Sequence, residues 1–203
     1  MHEQPDAPGE HIGRPPKGAE WLQRPRIRLG AIVALAVAAG IVAWAVVDRG
    51  GSSKPSTPAS SAAGGAVGPV LLTPEALRAE SRSLGQPIYW AGSKSGYTYE
   101  LTRTVTGHVY VRYLPTGTAV GAKGAGYLIV ATYPFPNALA ALKKVSGGTG
   151  IALPDGGLAV VDTNYPKSVH VAFPGTDYQV EVYDPSPKTA RSVAVSGAVR
   201  PVR

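Results

Sequence analysis

The hydrophobic and polar positions of this chain change pattern twice. Residues 29–47 read LGAIVALAVAAGIVAWAVV, nineteen positions without a charged side chain. As a helix this stretch measures ~28 Å, close to the ~30 Å hydrocarbon core of a bilayer, and a helix satisfies its own backbone hydrogen bonds in lipid. Residues 1–28, rich in Pro, Gly and charge, and 48–69, rich in Gly, Ser, Pro and Ala, show no sustained apolar period. The spacing therefore predicts a disordered cytoplasmic tail over 1–28, a transmembrane helix over 29–47, a flexible linker over 48–69 and a folded domain over 70–203.

Within 70–203 the periodicity predicts both element types. Thr73-Pro74-Glu75 forms an N-cap, a first-turn proline and a favourable acid, and Leu77, Ser81 and Leu84 share one face of the helix that follows. Strict alternation then predicts strands over 88–90, 97–104, 109–114, 127–133, 151–153, 158–162, 169–173 and 178–183, separated by turn chemistry such as Thr106-Gly107 and Asp155-Gly156. In 97–102, Tyr97, Tyr99 and Leu101 fall on one face and Thr98, Glu100 and Thr102 on the other. Asn137 caps a short helix with a Leu139, Leu142, Val145 stripe. Ser186-Pro187 opens a third over 187–196, where the Val193, Val195 alternation also suits a strand.

Two segments resemble each other. At an offset of 51, YLIVATYPFP from Tyr127 overlies YQVEVYDPSP from Tyr178; at an offset of 60, Val109, Val111 and Tyr113 overlie Val169, Val171 and Phe173. The expectation is an α+β domain, an antiparallel sheet with about three helices packed on one face, organised as two βββ(β)α repeats related by a pseudo-twofold.

Charge gives the segment at 29–47 a direction. Arg24, Arg26 and Arg28 precede it, whereas Asp48 and Arg49 follow it directly. The Lys/Arg bias predicts a cell-membrane protein with a cytoplasmic N-terminus and an extracytoplasmic C-terminal domain. Its partner there is the lipid bilayer. The rival is a cleaved signal peptide, for which Ala43-Trp44-Ala45 supplies a small-x-small site; the 28 residues before the run and its continuation through Val47 favour the anchor. Residues 70–203 carry thirteen basic and eight acidic groups, an excess that suits lipid headgroups or acidic wall polymers, or a mildly basic exterior. No basic run is interleaved with aromatics, so nucleic acid is not expected as a partner.

Candidate chemistry is sparse. The absence of cysteine excludes disulfides, thiolate metal ligands and thiol nucleophiles. His108 and His170 stand on separate predicted strands without a spaced partner, and no HExxH, G-x-S-x-G or S-x-x-K pattern occurs, so no catalytic, metal or cofactor residues are assigned. Residues 117–124 (GTAVGAKG) fail the phosphate-loop pattern at Ala122 and Gly124 and are read as a mobile hairpin loop. Aromatic residues do concentrate in the first half. Rings of this kind stack on sugars or fill interfaces, so Trp90, Tyr97, Tyr99 and Arg112 form the candidate ligand face.

The segments PIYWAGSKSGYTYELTRT, HVYVRYLPTG, YPFPNALAAL and DYQVEVYDPSP are similar to those of single-pass, membrane-anchored exported proteins of GC-rich, actinobacterial-type bacteria. The resemblance covers 70–203 and implies anchoring and export; it brings no activity or site residue. The expected function is a membrane-tethered extracytoplasmic binding module of the envelope, non-enzymatic, engaging an envelope polymer or another membrane protein. The alternatives are an envelope-associated hydrolase and a membrane signalling partner.

Overall fold

The computed structural model describes residues 67–124 and 126–203, so the expected tail, membrane span and all but the end of the linker lie outside the described residues. In chain order the elements are β1 (Val67–Leu72), α1 (Pro74–Ser83), β2 (Tyr89–Trp90), β3 (Tyr97–Arg103), β4 (Val109–Pro115), β5 (Ile129–Pro134), α2 (Ala138–Ser146), β6 (Ile151–Ala152), β7 (Leu158–Val161), β8 (Ser168–Ala172), β9 (Tyr178–Tyr183), α3 (Pro187–Val195) and β10 (Arg200–Pro201). The fold is α+β, with three helices on a large antiparallel sheet. Eight strands pair in the order β1-β3-β4-β5-β9-β8-β7-β6, and β10 pairs with β2 in a separate ribbon. Among the described residues no helix is long and apolar enough to cross a membrane.

Local chemistry explains the helix starts. The Thr73 and Ser186 hydroxyls accept the Ala76 and Thr189 N–H groups at 3.2 and 3.3 Å, each ahead of a proline in the first turn. The third helix takes up Val193 and Val195, and the final strand falls later, at β10. Asn137 behaves otherwise than expected. It sits at φ 56 with no side-chain cap bond, and its N–H is held instead by Asp177 Oδ1 at 2.9 Å. The first strand was not legible as one: β1 starts at Val67, inside the 48–69 stretch read as linker, and its pairing with β3 shifts register between Val67 and Val70.

Both faces of the sheet are covered. On one face Tyr99, Leu101, Val109, Val111, Tyr113, Val130, Val169, Val171, Val180 and Val182 pack with Leu77 of α1, Ala190 and Ala194 of α3, and the β2/β10 ribbon. On the other, Ala138 and Leu142 of α2 pack on Ala172, with Leu158 and Val160 beside them. The three helices therefore do not share one face.

The register also corrects the 51-residue offset. Val109 pairs with Thr132, and Val169, sixty residues on, pairs with Val182, so the equivalent positions of β5 and β9 lie fifty residues apart. An offset of 51 would set Ile129 and Ala131, on the α2 side, over Val180 and Val182 in the main core. One residue of slip in a strand exchanges its faces.

Candidate functional site

The four candidate ligand residues do not come together on one exposed surface. Trp90 and Tyr99 are buried, Tyr97 is half-buried, and all three belong to the main core face. Trp90 meets Tyr99 edge-on at 5.6 Å, and Tyr99 meets Tyr113 edge-on at 5.1 Å. Their polar ends are used internally. The Tyr99 hydroxyl accepts the Lys94 N–H at 2.7 Å, and the Tyr113 hydroxyl accepts the Ala91 N–H at 2.7 Å while donating to the Gly92 carbonyl at 3.0 Å. Burial pushes the Tyr113 phenol well above its usual range. These rings are a core wedge that fixes the 91–94 loop. Tyr97 keeps an outward edge, with the Lys94 ammonium 4.1 Å above its ring.

Arg112 lies on the opposite face, because it alternates with Val111 and Tyr113 along β4. Its partner is Glu100, directly across on β3, at 2.6 Å between Nη1 and Oε1, and both side chains are within 1% of complete burial. The 116–124 loop closes over this pair with main-chain atoms: Arg112 Nη2 donates to the Ala122 carbonyl at 2.8 Å and the Gly121 N–H donates to Glu100 Oε2 at 2.6 Å. Gly121 takes φ 72, a conformation that glycine adopts without strain. Tyr127 lies 5.0 Å from the guanidinium carbon. The loop read as mobile is thus pinned at its centre by a buried ion pair.

The same face carries a second polar group that sequence reading missed. Glu181 on β9 accepts the Tyr133 hydroxyl at 2.7 Å and the Ser168 hydroxyl at 2.6 Å, one on each oxygen. Beside it, His170 pairs across the ladder with Glu181, and its Nδ1 lies 2.8 Å from Gln179 Nε2. His170 Nε2 is 3.9 Å from Asp162 Oδ2, a charge-scale approach beyond hydrogen-bond range. His170, with the N–H groups of Asn164 and Tyr165, holds the Asp162 carboxyl below its usual range against the opposing effect of burial. Burial raises the Tyr133 phenol well above 10 and pushes Tyr110 up to about 12. The signal for this group was the alternation of polar Ser168/His170 and Gln179/Glu181 with Val169/Val171 and Val180/Val182 along β8 and β9.

Serine, histidine and carboxylates therefore share one face, but they are wired apart. The Ser168 hydroxyl is spent on Glu181, and His170 is only 1% exposed. A nucleophile needs its base within hydrogen-bond reach and a path for substrate. His108, buried enough to lower its pKa, meets Tyr133 edge-on at 5.0 Å. Among the described residues no group of three His, Cys, Asp or Glu is placed to hold a metal ion. Comparison with family models, with curated proteins and with solved structures finds no match.

Proposed function

We propose that this chain is a membrane-tethered, extracytoplasmic binding module of the bacterial envelope, anchored by residues 29–47 with its N-terminus in the cytoplasm, and that it acts on an envelope polymer or another membrane protein by contact rather than by catalysis. The observation that carries the reading is the uncharged nineteen-residue run behind Arg24, Arg26 and Arg28, joined to an α+β domain. The disposition of the domain's polar groups supports contact over chemistry: the buried Glu100, Arg112 and Glu181 are bonded within the sheet or to its covering loop. The resemblance to anchored, exported proteins of GC-rich bacteria points the same way. We also read the halves β3-β4-β5 and β7-β8-β9 as a duplicated unit, since they flank the central β5/β9 pair in mirrored order.

The hydrolase alternative draws on Ser168, His170 and Asp162 standing on one face. Co-sedimentation of the detergent-solubilised full chain with purified wall polymer, and crosslinking in membranes, separate the two. Saturable retention of polymer, or one crosslinked membrane protein, without release of soluble fragments is the expected result. Fragment release that Ser168→Ala abolishes overturns the binding reading.

A further inference from the structure

Five large apolar side chains are exposed among the described residues: Val70 (38%), Leu71 (42%), Val105 (79%), Val120 (47%) and Tyr165 (50%). Two of them meet at one margin. Leu71 is on β1, the outermost strand, with Val70 turned to the other face beside Leu101, and Val120 is on the loop that covers Glu100. Leu71 stands opposite Glu100 across the β1/β3 ladder, and Glu100 also holds the N–H of Gly121, next to Val120. The two aliphatics thus flank one buried carboxylate from the strand side and the loop side. Cations border the same margin. Lys123 is exposed on that loop, and Lys94 is exposed over Tyr97, on a turn fastened to the loop's start by the Thr116 N–H to the Gly96 carbonyl at 2.9 Å.

We propose that this margin, the β1 edge with the 116–124 loop, seats on an anionic lipid surface. The proposal rests on the tethered reading above. Exposed aliphatics that enter the acyl boundary, bordered by lysines that reach headgroup phosphates, are the composition of an interfacial contact. The chain's course points to the same occupant. β1 follows directly on residues 48–66, so under the tethered reading this edge is the part of the domain nearest the anchor along the chain. A second copy adding a strand to β1 is the poorer occupant. Pro69 has no N–H to give, and the register break at Val67/Val70 interrupts the edge ladder.

Because the chain has no cysteine, single spin labels report cleanly. The full chain is placed in nanodiscs of phosphatidylcholine alone or mixed with phosphatidylglycerol, carrying L71C, V120C or Y165C. Tyr165 is the control, since β8 and β7 lie five and six strands from β1, roughly 25 Å away. The expected result is a several-fold rise in oxygen over nickel accessibility at 71 and 120 in phosphatidylglycerol discs, none at 165, and loss of that rise in K94E/K123E. Labels at 71 and 120 that match 165 in both lipids, on a chain that stays with the disc after alkaline washing, overturn the proposal alone. Protection at 71 and 120 that follows protein concentration rather than lipid assigns the edge to a second copy and also overturns it. A chain that washes off the disc sinks the tethered reading and the proposal with it.

Discussion

A guanidinium that is 1% exposed persists in a fold only when its charge and its N–H groups are answered, and Arg112 is answered by Glu100 and by the Ala122 carbonyl. Removing one partner leaves the other charged and dry, so Arg112→Leu is expected to cost about 3–5 kcal/mol in urea unfolding, with the Glu100→Gln/Arg112→Met double change recovering most of it. The same reasoning gives a pH dependence. Tyr110 titrates near 12 in the fold and Tyr113 higher still, while both ionise near 10 when unfolded. Between those values the unfolded chain has lost protons that the folded chain keeps. Stability is therefore fully present below pH ~10 and falls above it by about 1.4 kcal/mol per pH unit for each tyrosine. Phenolate absorbance and circular dichroism followed together through an alkaline titration check this: the buried tyrosines should ionise with unfolding, not before it.

At this scale the sequence was a partial guide. The alternation of Tyr99 and Leu101 against Glu100 is plain in the chain, and the structure keeps it. What the alternation does not tell is that the opposite face is also covered, here by the 116–124 loop and α2, so that Glu100, Arg112 and Glu181 are interior rather than wet. The candidate ligand face failed to assemble for the same reason. Aromatic enrichment marks apolar area to be buried, and only the partner elements decide whether a ligand or the core covers it.

At the scale of elements, the prolines and turn residues set the boundaries well. Thr73-Pro74 and Ser186-Pro187 begin helices as expected because an accepting hydroxyl and a residue with no N–H to satisfy both suit a first turn. Asn137 shows the limit, since its cap is a long-range one from Asp177, forty residues away. Asp177→Ala is expected to destabilise the α2 entry by about 1 kcal/mol, read as faster amide exchange in 137–141 with α1 unaffected. β1 escaped notice because Gly68 and Pro69 look like linker, and its strand character comes only from pairing with β3. A tighter constraint lies at Gly157, where an added Cβ would meet the Ala172 carbonyl oxygen and a Phe173 ring carbon, each at 2.9 Å. Backbone yields poorly, so Gly157→Ala should cost about 1–3 kcal/mol in thermal or urea unfolding.

For the whole molecule, the described residues form a sheet covered on both faces, with Leu71 and Val120 exposed at its β1 margin. The proposed seating on lipid requires that residues 29–47 hold the chain in a bilayer and that the domain faces outward. The absence of cysteine makes the direct measurement clean. A7C in the tail and T163C in the exposed 163–167 turn are each introduced alone, and intact cells are treated with a membrane-impermeant maleimide. The tethered reading predicts that T163C is labelled in intact cells, that A7C is labelled only after lysis, and that the labelled protein stays in alkaline-washed membranes with residues 1–28 attached. Labelling of T163C only after lysis, or a released chain beginning near Val46, contradicts it.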